Sequence, residues 1–316
     1  MAGVTQRTLI GRIGRRFAFS REERRNLRVG LLFISPWLFG FLALMVYPIV
    51  YSFSLSFTRY SGFGEPTWIG FDNYTRMVGD PLFWKSTLNT LYYTALAVPI
   101  GVVVAIVLAL AMNTRVREVA IYRAALYLPS VLPIFALTFV FVVLLNPAFG
   151  LVNYVLRLAG LPAPDWIGDP AWTKLALVLL AQLGAGQVAL IFLAGLRGIP
   201  RDLYESAEID GAGAWKRFRH ITLPMLTPLI LYDLILGLSY GLQVFTQAYV
   251  MTGGGARAAG PDNSLLFYVF YLYKNAFQYS QMGYAEAMAV VLFILSLLIA
   301  FAVFKWAGRW VYYEAA

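Results

Sequence analysis

Residues 87–112 read TLNTLYYTALAVPIGVVVAIVLALAM, a run without a single charged side chain. A helix that crosses the hydrocarbon core of a bilayer needs roughly 20 mainly apolar residues, and this run meets that length. Five further stretches of the chain are also mainly apolar and about as long. The sequence therefore predicts an all-α, polytopic membrane protein with six transmembrane helices, at about residues 30–52, 87–112, 121–145, 175–196, 223–250 and 284–304.

The composition supports lipid as the main environment of the chain. Hydrophobic residues make up 60% of it and charged residues only 13%, whereas soluble chains carry about 25% charge. There is no cysteine, which excludes disulfides, zinc–thiolate sites and cysteine nucleophiles. One histidine, His220, argues against a histidine-built metal centre. We expect neither a metal nor a cofactor.

The distribution of Lys and Arg predicts the orientation. With the N-terminus inside, 18 of the 25 cationic residues fall in cytoplasmic segments and 7 in outer loops. Cytoplasmic segments of membrane proteins collect Lys and Arg, so both termini are expected in the cytoplasm. The net charge of +9 then reflects topology and not nucleic-acid binding. The arm before the first span, residues 1–29, carries eight arginines; it serves topology alone or also binds anionic membrane lipid.

The outer segments 58–86 and 147–174 mix tryptophans with glycine and proline. Aromatic residues at this level commonly form an interfacial belt, and a docking surface for an extracytoplasmic partner is the alternative. These landmarks suggest four divisions of the chain: the arm 1–29, the first helix with its outer loop 30–84, a transmembrane domain 85–305 and a cytoplasmic tail 306–316.

The segment between spans four and five is too polar for lipid. Residues 193–224 read LAGLRGIPRDLYESAEIDGAGAWKRFRHITLP. Pro200 suits the first turn of a helix, and Asp210-Gly211 is a turn in which glycine adopts the left-handed conformation. A second short helix is expected over residues 213–220. The sequence predicts a cytoplasmic helix-turn-helix, 197–222, whose exposed aromatic residues need a protein partner.

This segment resembles the loop of permeases in binding-protein-dependent ABC importers. The family pattern is E-A-A, three residues, G, nine residues, I, one residue, L-P. This chain keeps every spacing, with Glu205-Ser206-Ala207, Gly211, Ile221 and Leu223-Pro224, and departs only in Ser206. The family's loop sits in a cleft of an ATPase subunit. The resemblance therefore implies that the ATPase-coupling residues are Glu205, Ser206, Ala207, Asp210 and Gly211.

Other segments resemble the carbohydrate-type branch of the same family. They are FISPWLFGFLALMVYPIVYSFSLSF, IGFDNYTRMVGDPLFWKSTLNTLYYT, GLVNYVLRLAGLPAPDWIGDP, and TGGG followed by YVFYLYKNAFQYSQMGYAEAMAV. There are two departures: Ala256–Gly260 interrupts the expected run from TGGG into proline, and Glu286 stands where the pattern usually has a small residue. The resemblance implies a bacterial or archaeal inner membrane protein. It also implies ATPase subunits, a second and different permease, and an extracytoplasmic sugar-binding protein as partners.

Other functional classes fit less well. No G-x-x-x-x-G-K-[ST] loop occurs, so ATP hydrolysis is expected on separate chains. A membrane enzyme needs clustered titratable residues, but the spans offer only Asp233 and Glu286, on different helices, and no catalytic residue is predicted. A secondary transporter is the alternative, yet the sequence shows no clear internal repeat of the kind such proteins carry. An ABC permease for a solute other than sugar also stays open.

Span five carries the candidate substrate contacts. At 100° per residue, a continuous helix places Asp233, Tyr240, Gln243 and Gln247 within an arc of roughly 80°. Polar side chains in a membrane face a bundle interior or a cavity, and this stripe would offer hydrogen bonds and an aromatic surface to a sugar. The alternative is hydrogen bonding between helices. Gln182 and Gln187 on span four and Asn89 on span two allow the same two interpretations.

Overall fold

The computed structural model describes residues 21–114, 119–254 and 259–312. Almost all of its regular structure is helical. The helices are α1 (Arg21–Phe41), α2 (Tyr47–Leu55), α3 (Asp72–Val78), α4 (Pro81–Met112), α5 (Val119–Val131), α6 (Ile134–Leu144), α7 (Leu151–Leu158), α8 (Pro170–Gln182), α9 (Ala185–Gly198), α10 (Arg201–Ile209), α11 (Ala214–Arg217), α12 (Leu223–Leu242), α13 (Thr246–Met251), α14 (Tyr268–Tyr273) and α15 (Met282–Ala307). Short π-helical turns join α1 to α2 (Leu42–Val46) and α11 to α12 (Phe218–Thr222), and a third follows α14 (Lys274–Gln278).

Within the described residues, four continuous helices are long and apolar enough to cross a membrane. They are Arg24–Leu55, Pro81–Met112, Ala214–Leu242 and Met282–Ala307. Two bent helix pairs bring the total to six if each pair forms one span. This confirms the all-α polytopic fold, with the qualification that spans three and four are broken rods.

The bend in span three is the sharper of the two. Helices α5 and α6 meet at an angle of 102°. Proline explains it: Pro133 precedes α6 with extended backbone angles, and its ring keeps the residue before it out of the helical conformation. Helices α8 and α9 meet at 45°, at Leu183 and Gly184. The sequence predicted one span at each place and did not predict the bend in either span.

Span five also ends earlier than predicted. Helix α12 stops at Leu242, and the chain resumes helical structure only in α13 at Thr246. The predicted span ran to residue 250, so its last turn and a half belong to a separate short helix. At the other end, α11 and the π-helical turn run directly into α12. The predicted separate helix over residues 213–220 is therefore the start of the spanning helix.

Helix α4 is the central rod of the bundle and packs against α8, α9, α12 and α14. Asp80 begins it: the Asp80 side chain accepts a hydrogen bond of 2.9 Å from the Leu82 amide, and Pro81 occupies the first helical position. Two hydrophobic clusters share the helix. One reaches Ala97 from the N-terminal side, and the other begins at Val102.

The chain divides into two compact units, up to Ser54 and from Leu55 onward. The first contains α1 and most of α2. The second opens with a small antiparallel hairpin, β1 (Thr58–Arg59) and β2 (Thr67–Trp68), in which Thr58 pairs with Trp68. The tail 306–316 and the arm 1–29 lie partly outside the described residues, and the four-part division of the chain stays a prediction.

Candidate functional site

A cavity of about 510 Å³ lies among α4, the α8–α9 break, α12 and α13. Its lining is a mixture of small, apolar and polar side chains. The lining residues are Tyr93, Ala97, Val98, Gly101, Ala181, Gln182, Gly184, Ala185, Gln187, Val188, Ile191, Tyr232, Asp233, Leu236, Gly237, Tyr240, Gly241 and Gln247. This combination suits a small polar solute, since sites of this kind pair an apolar wall with a few convergent polar groups.

The cavity lies where the two hydrophobic clusters of the bundle meet. On α4 its lining runs from Tyr93 to Gly101, between the end of one cluster at Ala97 and the start of the other at Val102. The cavity is thus a gap between helices near the middle of the central helix, and Gln187 and Tyr240 of its lining are exposed.

The predicted polar stripe on span five is only partly present. Because α12 ends at Leu242, the four residues do not lie on one continuous helix. Asp233 and Tyr240 on α12 and Gln247 on α13 do line the same cavity. Gln243 does not; its side-chain amide donates a hydrogen bond of 3.1 Å to the Ser239 carbonyl. The break in the helix thus removes one predicted residue and brings another in from a different element.

Asp233 is the only charged side chain among the described residues that line the cavity. It is half-buried. No ion pair or hydrogen bond to its carboxyl occurs within the described part of the chain. Tyr240, one of its neighbours in the lining, has 74% of its surface exposed, so its ring is free to contact a solute.

The glutamines of span four contribute to the cavity, whereas Asn89 does not. The side-chain amide of Gln182 donates to the Val178 carbonyl at 2.8 Å, and its carbonyl oxygen is buried without a hydrogen-bond partner. Gln187 is exposed in the lining. Asn89 is 2% exposed and donates to the carbonyls of Asn263 and Leu266 at 2.9 and 3.0 Å. Its role is structural.

Two tyrosines of the lining, Tyr93 and Tyr232, were not singled out by the sequence. The chain has 20 tyrosines, many of them near span ends, so residue type alone does not distinguish these two. Tyr232 precedes Asp233 on α12, and Tyr93 is buried on the facing side of α4. Only the packing of α4 against α12 reveals that they face the same space.

Gly186 lets α9 approach α5 closely beside the cavity. A Cβ atom at Gly186 would stand 2.9 Å from the carbonyl carbon of Leu126 and closer still to its oxygen. The Cβ atom would be fixed to α9 and the Leu126 carbonyl belongs to the backbone of α5, so no change of rotamer would relieve the contact. Only a glycine permits helix packing this close at this position.

The 197–222 loop begins as predicted, with a helix that starts after Pro200. Helix α10 ends in a turn at Gly211, where φ is +75°. The amide of Gly211 donates to the Glu208 carbonyl at 3.0 Å, and the amide of Ala212 donates to the Ala207 carbonyl at 2.8 Å. This pair of bonds is the Schellman arrangement, which requires a left-handed residue at the position of Gly211.

The loop is fastened to the membrane helix by side chains. The Tyr204 and Thr222 hydroxyls are hydrogen-bonded at 2.9 Å, and an ion pair joins Glu208 to Arg217. The hydroxyl of Ser206 donates to the Asp202 carbonyl at 2.7 Å, so serine is satisfied within its own helix. The family pattern has alanine where this chain has Ser206. Because the Ser206 hydroxyl is already hydrogen-bonded within α10, it does not add an unpaired polar group to the surface of that helix.

The remaining face of the loop is open. Glu205, Asp210 and Gly211 are exposed and Ala207 is half-buried. Ile209 is 88% exposed and Trp215 70% exposed, with the Trp215 ring stacked on Phe218. Apolar side chains of this size that project into water commonly mark a protein-binding surface.

A second polar cluster lies at the N-terminal end of α4, around Asp80. The Asp80 carboxylate accepts hydrogen bonds from the hydroxyls of Tyr271 at 2.6 Å and Tyr284 at 2.8 Å. Burial raises the pKa of Asp80, but these bonds and the one from the Leu82 amide lower it more, so its pKa lies below 3.8. The cluster joins the start of α4 to α14 and α15.

The cationic residues at the loop end of the bundle support its helix termini. The guanidinium of Arg123 on α5 donates to the Met112 carbonyl, at the end of α4, at 2.9 Å. A cation at a helix C-terminus is stabilised by the partial negative charge of the last carbonyls.

Several residues of the sequence analysis lie outside the described part of the chain. They are the arginines up to position 16, Arg115, Arg117, Arg257 and the interruption at residues 256–258.

Sequence and structure comparisons identify relatives along almost the whole chain. The probable ABC transporter permease protein YesP of Bacillus subtilis is 38% identical over 301 residues, which cover 94% of this chain and 96% of the relative. The sulfoquinovosyl glycerol transport system permease protein SmoG of Agrobacterium fabrum is 37% identical, over 86% of this chain and 87% of the relative.

The fold has a solved counterpart. A crystal structure of a bacterial ABC transporter involved in the import of the acidic polysaccharide alginate contains a chain with a TM-score of 0.77 and 25% identity. The match covers 92% of this chain and 99% of that one. The family model described as "Binding-protein-dependent transport system inner membrane component" matches residues 97–312, which include the 197–222 loop and every lining residue of the cavity except Tyr93. This chain therefore belongs to the family of inner membrane components of binding-protein-dependent transport systems.

Proposed function

We propose that this chain is the permease subunit of an ATP-driven importer and that its cavity forms part of the pathway for a sugar, polyol or oligosaccharide. The cavity carries the proposal: Asp233, Tyr240 and Gln247 converge from two helices on a gap of about 510 Å³. Hydroxyl groups need hydrogen-bond partners, and the apolar face of a sugar ring stacks on aromatic rings. The lining supplies both.

The relatives support this substrate class. Their printed names specify sulfoquinovosyl glycerol, arabinooligosaccharides in Bacillus subtilis, and trehalose and maltose in Thermococcus litoralis. These relatives differ in the saccharide they transport but share at least 32% identity with this chain over most of its length. A saccharide is thus the solute that best fits the polar groups of the cavity.

The 197–222 loop is proposed to receive the energy for transport. Glu205, Ser206, Ala207, Asp210 and Gly211 would form the surface that docks on a separate ATPase subunit. Exposed Ile209 and Trp215 support a protein partner on this face. ATP hydrolysis then takes place on the ATPase, and this chain carries out no catalysis of its own.

The remaining partners and the orientation follow from the same proposal. A second, different permease would complete the pathway, and an extracytoplasmic sugar-binding protein would deliver the solute; one solved relative was crystallised with a periplasmic protein that holds an alginate pentasaccharide. The chain would lie in the inner membrane with both termini and the 197–222 loop in the cytoplasm, as its Lys and Arg distribution predicts.

Replacement of Tyr240 by alanine tests the pathway. This variant removes an exposed ring from the cavity wall and leaves the buried core of α12 unchanged, so we expect normal assembly, normal basal ATP hydrolysis and reduced saccharide uptake. Tyr122→Ala, which removes an exposed ring from α5 outside the cavity lining, is the matched control. Uptake by Tyr240→Ala equal to that of the control would contradict the proposal.

A further inference from the structure

The polar side chains that line the cavity include one negative charge and no positive charge among the described residues. Asp233 supplies a carboxylate, whereas every other described polar side chain in the lining is neutral: Tyr93, Gln182, Gln187, Tyr232, Tyr240 and Gln247. No lysine or arginine is among the lining residues that the structure describes. A carboxylate that faces a gap between helices without a cation beside it gives that gap a negative potential.

The described cations on the helices around the cavity lie outside its lining, and among them Lys85 on α4 and Arg197 on α9 are exposed. Lys174, on α8, lies over the Tyr92 ring at 4.8 Å, and its ammonium is 3.4 Å from the side-chain oxygen of Asn89. Arg123 binds the last carbonyl of α4. Neither side chain lines the cavity. The described cations on the helices around the gap therefore do not neutralise Asp233.

The neutral groups are suited to uncharged solutes. Amide oxygens accept hydrogen bonds from hydroxyl groups, and the Gln182 carbonyl oxygen is a buried acceptor without a partner among the described residues. A carboxylate or sulfonate on the solute would meet the Asp233 carboxylate, which repels it. A hydroxyl would instead donate a hydrogen bond to Asp233.

We propose that Asp233 acts as a charge filter, so that the cavity passes uncharged polyhydroxylated solutes and disfavours acidic ones. The inference rests on the proposed function, since it requires that solute enters this cavity. The expected solutes differ from the acidic polysaccharide alginate, in whose import the solved relative is involved, and from the sulfonated solute in the name of another relative. Asp233 is thus a specificity-determining residue of the permease.

The chain has no native cysteine, which permits a direct measurement of the potential in the cavity. A single cysteine in place of exposed Gln187 is introduced into the assembled transporter. Its modification rate is measured with cationic trimethylammonium-ethyl methanethiosulfonate and with anionic sulfonato-ethyl methanethiosulfonate. Both rates are divided by those for a free thiol, and the ratio of cationic to anionic rate reports the local charge.

We expect the cationic reagent to react faster, and Asp233→Asn to lower the rate ratio by roughly tenfold, since a unit charge at about 10 Å changes the local concentration of each reagent severalfold and in opposite directions. Glu65→Asn and Glu65→Gln remove an exposed carboxylate outside the cavity and are the matched controls. Both should leave the ratio unchanged.

Three results would overturn the inference. One is a rate ratio that Asp233→Asn does not change, which would mean that the carboxyl imposes no charge on the cavity. Another is a faster reaction with the anionic reagent. The last is no modification by either reagent with or without ATP, which would mean that solutes do not reach the cavity. The measurement needs no sugar, so absent saccharide uptake with a retained ratio would refute only the proposed function.

Discussion

Gly186→Ala is the substitution for which the structure sets the clearest expectation. The added Cβ would lie 2.9 Å from the carbonyl carbon of Leu126, whereas ordinary Cβ contacts begin at 3.4 Å. Helices α5 and α9 must therefore separate by at least about 0.5 Å, and by more at the carbonyl oxygen. Neither group can rotate away, because the Cβ is fixed to α9 and the carbonyl belongs to the backbone of α5.

The expected cost is that of overpacking, about 1–3 kcal/mol of unfolding free energy. Alanine favours helix by up to about 1 kcal/mol over glycine, which offsets part of this cost. Gly198→Ala is the matched control, since it makes the same change at the other end of α9 where no atom lies within 4 Å of the new Cβ. It should be neutral or slightly stabilising.

The two variants are compared by thermal unfolding of the purified transporter in detergent and by uptake into cells. Gly186→Ala should unfold at a lower temperature than Gly198→Ala. Because Ala185 and Gln187 line the cavity on either side of Gly186, displacement of α9 should also reduce uptake. Equal unfolding temperatures for the two variants would refute the close approach of α9 to α5.

The remaining predictions concern the loop and the outer end of α4. A single cysteine at exposed Ser206 should react with a membrane-impermeant thiol reagent only from the cytoplasmic side; labelling from outside intact cells would contradict the proposed orientation. Gly211→Val should abolish coupled uptake without loss of membrane assembly, because valine resists the φ of +75° at this position. Gly213→Val, at a φ of −67°, should retain coupled uptake. Loss of uptake in both variants or in neither would refute the importance of the turn at Gly211. Hydrogen bonds hold the pKa of Asp80 below 3.8, so its stabilisation is complete above that pH and is lost as pH falls further. Asp80→Asn should therefore lower the unfolding temperature at neutral pH, with a difference that narrows below pH 3.8; a difference independent of pH would contradict this.

The sequence predicted the spans well because hydrocarbon imposes a length and an apolar composition on every helix that crosses it. The ends of the spans were predicted less accurately. Span two begins at Pro81, earlier than residue 87, because Asp80 caps a helix turn that still contains Trp84 and Lys85. Hydropathy does not register polar residues that extend a helix beyond the membrane.

The breaks inside spans could not be read from composition. Pro133 is visible in the sequence, but prolines are common in membrane helices and most bend them only slightly, as Pro99 does inside continuous α4. The α8–α9 break has no proline at all, only Leu183 and Gly184. It depends on packing between helices that are distant in sequence.

The loop could be predicted from its local sequence, whereas the cavity could not. The turn at Gly211 was predictable because its cause is local: a helix that ends needs a left-handed residue, and glycine supplies it. The lining of the cavity has no local cause. Gln247 lines it from a different helix than Asp233 and Tyr240, and Gln243 turns back to its own backbone. A stripe calculated for one ideal helix could not anticipate the end of α12 at Leu242.

The continuity of α11 with α12 has a mechanical consequence. From Ala214, beside the exposed turn, the helix runs without a break to Asp233 at the cavity. That distance is roughly 28 Å at the rise of an α-helix. If the segment moved as one body, a tilt of about 10° applied at its loop end would swing the far end by about 5 Å, comparable to the rise of one helical turn. In the proposed permease, a small rotation at the docking surface would thereby become a larger movement beside the cavity.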